Sequence, residues 1–386
     1  MKNLEEIERG IIFWPVGNGD STTVIVNEDV FLQVDICHHE KAENDESAEI
    51  PVLDELLKLL PKKDGEPYLA VFALTHPDED HCKGFEELLK KAQIGEIWFT
   101  PRVFDEFKKD LCSDAKAFQE ETKRRIKKVI DNKGEVASGD RIRIVGYSED
   151  LKEDYRGFPN IYISVPGKTT SMLNGTDYSS HFKAFFHSPF KDDLDGDRND
   201  TSLAMQITLI NGPSKGKIML LGDLSYPILR KIYDRSDEQD VAWDVFLAPH
   251  HCSKSAMYYK DDEVNEDTPR HDILDDIRDS AVATNHYIIA SSRPIPARNS
   301  EGDNPPHAKA FNRYIENVAP TDFICTMEHP VEAPVPVVFG MTEKGLSYQK
   351  QKSDEGPSDD KAEKLSAVVF NSRSDGKAPQ SRGGYG

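Results

Sequence analysis

Within six residues the chain sets down two histidines and two aspartates, His76-Pro-Asp78-Glu-Asp80-His81. They follow the apolar run Leu69-Ala-Val-Phe-Ala-Leu-Thr75 and precede the helix-forming Gly84-Phe-Glu-Glu-Leu-Leu-Lys-Lys. That order places four metal-capable side chains on one strand-to-helix turn. Such donors converging where a strand ends can hold one or two divalent cations, and a cation in a cleft acidifies water into a nucleophile near neutral pH. The chemistry this predicts is metal-dependent hydrolysis. The plainer account is a polar loop whose Asp residues favour a helix N-terminus, so the rest of the chain has to decide.

Stepping along the elements, several further strands end in chemistry. Val30-Phe-Leu-Gln-Val34 ends on Asp35, and the turn Gly17-Asn-Gly-Asp20-Ser21 precedes Thr22-Thr-Val-Ile-Val26. Lys217-Ile-Met-Leu-Leu221 ends in Gly222-Asp223, and Asp244-Val-Phe-Leu-Ala248 runs into Pro249-His-His-Cys-Ser-Lys254. A later strand, Tyr287-Ile-Ile-Ala-Ser291, is followed by Asn304-Pro-Pro-His307. The N-terminal third reads as antiparallel strands, then a helix at about 50–60, and the second half repeats the alternation of strand and helix, which predicts an α/β protein. A charged helical stretch at about 105–132 and a Gly-, Ser- and Asn-rich stretch to about 180 are expected to form an insertion. One hydrolase domain is expected over 1–350, with a flexible polar tail over 351–386.

The composition sets bounds. With 386 residues, 37% of them hydrophobic, the chain can bury a sizeable core. A formal net charge of -21 opposes a tight, nonspecific grip on nucleic acid unless a local basic patch or bound cations supply it. No apolar signal core opens the chain and no apolar run reaches the roughly 20 residues of a membrane span, so a cytoplasmic, membrane-free protein is expected. Five scattered cysteines without a Cys-x-x-Cys pair fit reduced thiols, with Cys82 and Cys252 read as small buried residues beside candidate ligands.

Four stretches, Val16-Gly-Asn-Gly-Asp-Ser21, Leu74-Thr-His-Pro-Asp-Glu-Asp-His81, Asn199-Asp-Thr-Ser-Leu203 with Leu221-Gly-Asp223, and Pro249-His-His-Cys-Ser253, together resemble the metallo-β-lactamase superfamily, and within it the ComEC-type branch of DNA-uptake proteins. The resemblance implies an αββα sandwich of two mixed β-sheets with helices on the outer faces. It implies that His76 and Asp78 serve one metal while Asp80 and His81 serve the other or complete the first, and that Asp223 bridges the two. Asp35 and Asp20 would stand behind the ligands and orient them. The family's middle histidine has no single counterpart: His187, Asn199 and Asp200 are candidates, the last two preferred. The late histidine is His250, His251 or His307. Ser253 or Lys254 would donate to an oxyanion or phosphate oxygen. Asp at position 78, where the superfamily's common form has His, enriches the site in oxygen donors, so manganese competes with zinc.

The activity implied is hydrolysis of a phosphodiester, as a phosphodiesterase or nuclease acting on nucleic acid or nucleotides. Fold and metal site alone serve esters, lactones and thioesters equally, and a non-catalytic signalling or binding module would keep the fold with a degraded site. Lys123-Arg-Arg-Ile-Lys-Lys128 is a basic run that either follows a phosphate backbone or forms a solvated helix face. The acidic stretch Asp193-Leu-Asp-Gly-Asp-Arg-Asn-Asp200 lacks the calcium-loop register and is read as a solvated turn.

Overall fold

The computed structural model describes residues 4–39, 50–104, 111–147, 155, 157–193, 199–260, 268–282, 286–298, 304–317, 319, 322–329 and 334–349. The tail expected beyond 351, most of the acidic stretch 193–200 and parts of the expected insertion lie outside them. The main strands are β1 (Gly10–Phe13), β2 (Thr22–Asn27), β3 (Val30–Val34), β4 (Glu66–Ala73), β5 (Gln93–Phe99), β6 (Arg141–Val145), β7 (Phe182–Ser188), β8 (Ala204–Asn211), β9 (Ser214–Leu220), β10 (Val245–Leu247), β11 (Tyr287–Ala290), β12 (Phe323–Cys325), β13 (Val337–Thr342) and β14 (Gly345–Tyr348). The helices that cover them are α1 (Val52–Leu59), α2 (Glu79–Cys82), α3 (Phe85–Lys91), α4 (Ser113–Asp131), α5 (Tyr226–Arg235), α6 (His271–Asp279) and α7 (Ala308–Tyr314).

Two mixed sheets result. The first runs β14-β13-β1-β2-β3-β4-β5-β6, antiparallel as far as β3 and parallel from β3 to β6. The second runs β12-β11-β10-β9-β8-β7; β7, β8 and β9 are antiparallel and β9 to β12 parallel. Each sheet therefore joins an antiparallel half to a parallel half, and the parallel halves need helical crossovers.

The apolar pattern stacks these layers. On β4, Val71 and Ala73 pack into the core between the sheets while Phe72 packs among the helices, so a parallel strand buried on both faces reads as one apolar run. Between the sheets lie Phe13, Val24, Leu32 and Trp98 from one and Phe186, Met205, Ile207, Leu220 and Ile289 from the other. Outside the first sheet, α1, α3 and α4 contribute Leu56, Phe85, Phe118 and Ile126; outside the second, α5, α6 and α7 contribute Leu229, Ile277 and Tyr314. This is an αββα sandwich of two mixed β-sheets. Of the stretch expected as an insertion, α4 belongs to the helical layer and β6 continues the first sheet.

Candidate metal centre

The parallel strands β3 and β4 of the first sheet and β9, β10 and β11 of the second end at one shared edge, where Leu203 N donates to Thr75 O across the sheets at 2.9 Å. Ligands in α/β sheets bind beyond the carboxyl ends of strands, and the same logic places side chains here. Asp35 follows β3, His76 follows β4, Asp80 and His81 ride on α2, Asp223 follows β9, and His250 and His251 follow β10.

Asp223, buried at 4% exposure, is the centre. Its Oδ1 lies 3.2 Å from His81 Nε2 and 3.7 Å from His251 Nε2, and its Oδ2 lies 3.7 Å from His76 Nε2 and 3.6 Å from His250 Nε2. Two imidazoles thus flank each carboxylate oxygen. Asp80 Oδ2 is 3.3 Å from His251 Nε2, and Asp20 Oδ1 is 3.5 Å from His251 Nδ1. One donor atom each from Asp20, His81, Asp223 and His251 lies within 4.8 Å of all the others.

The outward ring nitrogens are committed elsewhere, which fixes what faces inward. Asp35 accepts at Oδ1 from Thr75 N and at Oδ2 from both Thr75 Oγ1 and His81 Nδ1, each at 2.7 Å. Because the Thr75 hydroxyl spends its proton on Asp35, His76 Nδ1–H donates to Thr75 Oγ1 at 3.1 Å. One buried carboxylate therefore sets the tautomer of two histidines, directly for His81 and through Thr75 for His76. The carbonyl of Ser291 does the same for His251, accepting from its Nδ1 at 3.1 Å. The nitrogens left facing inward, Nε2 of His76, His81 and His251, are buried without a hydrogen bond, as is Asp223 Oδ1.

This arrangement fits a cation. A tetrahedral ion with ligands at about 2.0–2.1 Å keeps neighbouring donors roughly 3.3 Å apart, beyond the usual hydrogen-bond length of about 2.9 Å, and the separations here run from 3.2 to 3.7 Å. The field points the same way. Burial resists protonation of His81 and His251, yet the carboxylates around them win and raise both, His251 to about 10. Burial would raise Asp223 and Asp80, but the surrounding imidazoles hold both below the usual carboxylate range. His76, desolvated and beside His81, is pushed down to about 3. The cluster demands positive charge, and buried anions of this density are paired or coordinate metals.

The loop that delivers His250 and His251 is strained. His250, His251 and Cys252 have φ of 48°, 53° and 66°, a left-handed run costing roughly 1–2 kcal/mol per residue for side chains other than glycine. The cost is offset by anchors: His250 N donates to Gly222 O, and His307 N donates to Cys252 O at 3.1 Å while its Nδ1 accepts from Lys254 N at 3.1 Å. Strain of this kind gathers at functional sites because the surroundings over-determine it.

Of the residues expected in the site, His76, Asp80, His81, Asp223, His250 and His251 converge, and Asp35 stands behind two of them as expected. The other candidates are placed as follows. Asp20 offers an oxygen to the donor cluster and also lies 3.5 Å from the outward His251 Nδ1. Asn199 and Asp200 form a short turn in which Asp200 accepts from Ser225 Oγ at 2.9 Å, and neither enters the cluster. His307 braces the His250 loop through its backbone N and its Nδ1. Ser253 Oγ accepts from Ser255 N and Oγ, capping the next turn rather than pointing a donor at an oxyanion; Lys254 contributes its backbone to His307. Asp78 opens α2 immediately before Asp80 and His81. His187 is a core residue whose Nε2 donates to Asp240 O and whose Nδ1 accepts from Ser236 Oγ, each at 3.1 Å.

Sequence reading did not find Thr75, Ser202 and Ser291. Thr75 had a visible signal, a hydroxyl one residue before a candidate ligand at a strand end. Ser202, whose Oγ lies 3.4 Å from His76 Nδ1, and Ser291, which acts through its carbonyl, had none.

The basic run on α4 does not face this edge. Arg125 is buried and donates to Ile94 O, Gly95 O and Arg141 O, at the starts of β5 and β6. Arg124 pairs with Glu121 and Asp140, and Lys127 with Asp131. Of the two readings of this run, these contacts support the solvated, ion-paired face, since Arg125 anchors it at the opposite end of the strands, about 20 Å away for a seven-residue strand. A concavity of about 600 Å³ lined by Lys63, Tyr68, Lys90 and Ser138 also opens at that far end. The chemistry lies at the other edge.

No protein-family model matches the sequence, and no curated protein matches it. Solved structures that align with it include Zn(2+)-bound PqqB from Methylobacterium extorquens (10% identity, TM-score 0.28, 59% of this chain and 58% of that one). Others are BJP-1, a subclass B3 metallo-β-lactamase of Bradyrhizobium japonicum (14% identity, TM-score 0.31, 69% and 89%), and a B3 metallo-β-lactamase with an active-site glutamic acid (12%, TM-score 0.31, 81% and 85%). The chain thus spans just over half the length of PqqB. Among the described residues no helix is long and apolar enough to cross a membrane.

Proposed function

We propose that the protein is a metal-dependent hydrolase whose centre takes two divalent ions and whose substrate is a phosphodiester of a nucleotide or nucleic acid. The observation that carries this reading is Asp223, with an imidazole pair on each of its two oxygens. Asp223 and these imidazoles would hold the ions, which would supply the charge stabilisation needed for displacement at phosphorus. Zinc is favoured by the four imidazoles and manganese by the carboxylates of Asp20, Asp80 and Asp223. When bound, the ions would supply Lewis acidity and a low-pKa water.

The chain's own residues supply position. Asp35 and Thr75 hold His76 and His81 in the tautomer that presents Nε2, and Ser291 holds His251. Asp80, with 41% of its side chain exposed, and His250, with 27%, are the site groups that reach solvent, so substrate meets them first. Asp80 is held ionised by His251 and His81, so it would act as an acceptor that orients rather than as a base that removes a proton. The phosphodiester substrate rests on the sequence resemblance; an ester or lactone is the alternative a hydrolase screen would reveal.

Asp223→Asn tests the reading. The amide is nearly isosteric but brings one acceptor oxygen and no charge. The folded variant is expected to lose at least about 100-fold in turnover, equivalent to about 3 kcal/mol, and to fall from about two metal equivalents toward one. Near-normal turnover and metal content in folded protein would rule out the bridge.

A further inference from the structure

All five cysteines are free thiols, and two of them touch: Cys82 Sγ lies 3.6 Å from Cys112 Sγ. Cys82 is fully buried and ends α2, the turn that carries Asp80 and His81; Cys112 is half-buried and is the N-cap of α4, its sulfur accepting from Ala115 N at 3.4 Å. The pair joins the site-bearing turn to the helix that lies against it, with 30 positions of chain between the two residues.

We propose that Cys82 and Cys112 form a peroxide-oxidisable dithiol whose disulfide ties the turn carrying Asp80 and His81 to the start of α4. A disulfide needs its sulfurs about 2.05 Å apart, a closing movement of about 1.6 Å. The turn is not the partner that moves. Its backbone is pinned by Asp20 N to Asp80 O, Ile36 N to His81 O and Lys83 N to Glu79 O, and His81 is pinned again by Asp35. The movement falls on the Cys112 side chain, at a helix end, so the bond forms without displacing His81.

The two sulfurs have distinct parts. Cys112, with the Cys82 thiol and then the backbone N–H groups at the start of α4 directed at it, is lowered to about 6, which makes it the attacking thiolate. Its sulfur attacks one oxygen of hydrogen peroxide, forming S–O as O–O breaks, and the departing hydroxide takes a proton to leave as water. The Cys82 sulfur then attacks the Cys112 sulfur of the sulfenic acid. S–S forms, S–O breaks, and the Cys82 proton leaves with the hydroxyl as a second water. Two thiols are oxidised to one disulfide, and one peroxide is reduced to two waters. The remaining thiols are held apart from this chemistry: Cys37 contacts His39, Cys325 donates to backbone carbonyls, and Cys37, Cys252 and Cys325 are buried, with burial raising each of them.

The test uses the full chain, reduced and then exposed to one equivalent of hydrogen peroxide. Accessible plus denaturant-exposed thiols should fall from five to three, and a non-reducing digest should yield one cross-linked peptide pair joining residues 82 and 112. The melting temperature should rise by about 5 °C and return on reduction, the scale expected for closing a loop of this length in a chain of this size. Cys82→Ser should stop at a Cys112 sulfenic acid, trapped by dimedone, and Cys112→Ser should leave Cys82 reduced. Five thiols surviving excess peroxide, or a cross-link between any other pair, would overturn the proposal; so would formation of the bond without a rise in melting temperature, since the tie would then be absent.

Discussion

Replacing Asp35 by Asn separates an orienting carboxylate from a merely buried polar group. Asp35 is fully buried and accepts three hydrogen bonds at 2.7 Å, from Thr75 N, Thr75 Oγ1 and His81 Nδ1. Asn keeps one oxygen, which Thr75 N will claim, and turns an NH₂ toward the atoms that formerly donated. To avoid donor facing donor, His81 must move its proton from Nδ1 to Nε2, and the Thr75 hydroxyl must reverse toward His76. Both changes put a hydrogen where an inward lone pair is needed. Loss of such an orienting partner typically costs 10- to 100-fold in metal affinity, about 1.4–2.7 kcal/mol. Because one carboxylate governs two ligands, the upper end is expected. Thr75→Val cuts only the His76 branch and should fall between wild type and Asp35→Asn. Zinc affinity is measured by competition with a chromophoric chelator, with circular dichroism and metal-free melting as controls for folding. A folded Asp35→Asn protein that binds zinc within twofold of wild type would refute the tautomer reasoning.

Three further predictions follow from the same structure. At position 252, where a buried side chain sits at φ 66°, glycine removes about 1 kcal/mol of left-handed strain that alanine keeps, so Cys252→Gly should be more stable than Cys252→Ala in denaturant titration; the reverse order would deny the strain. His187 is buried neutral, with burial holding it down to about 4 against an ordinary 6.5. The unfolded chain binds the proton first, so stability present above about pH 6.5 declines as pH falls toward 4, by roughly 3 kcal/mol. His187→Gln should flatten that part of the stability profile by this amount, and an unchanged slope would acquit the residue. Finally, Lys123→Gln with Lys128→Gln should leave turnover on long and short phosphodiesters equal to wild type within about twofold, because the run lies at the far end of the sheet; selective loss on long substrates would restore it as a binding surface.

Much of the site was legible in the one-dimensional chain because its chemistry sits at strand ends. An apolar run such as Leu69 to Leu74 specifies a buried strand, and a polar residue just beyond it must lie at the sheet's edge, so His76, Asp80, His81, Asp223 and the His250–His251 pair announce themselves by type and place. The α/β alternation and the helices over 52–59 and 113–131 follow from local periodicity for the same reason. What local sequence could not decide was which strand ends meet. That depends on the pairing of β3 with β4 and of β9 with β10, and on two sheets stacking with their carboxyl edges together, contacts made across spans such as the 272 positions from Gly19 to Ser291. Only then does Asp20 reach the donors, do Asn199, Asp200 and His307 turn elsewhere, and does Ser291 offer a carbonyl, an atom every residue possesses and no sequence pattern marks. The basic run on α4 shows the limit most plainly: its charge was visible in sequence, but whether a helix presents it to a site depends on which end of the sheet the helix crosses, and that is a property of the packed layers alone.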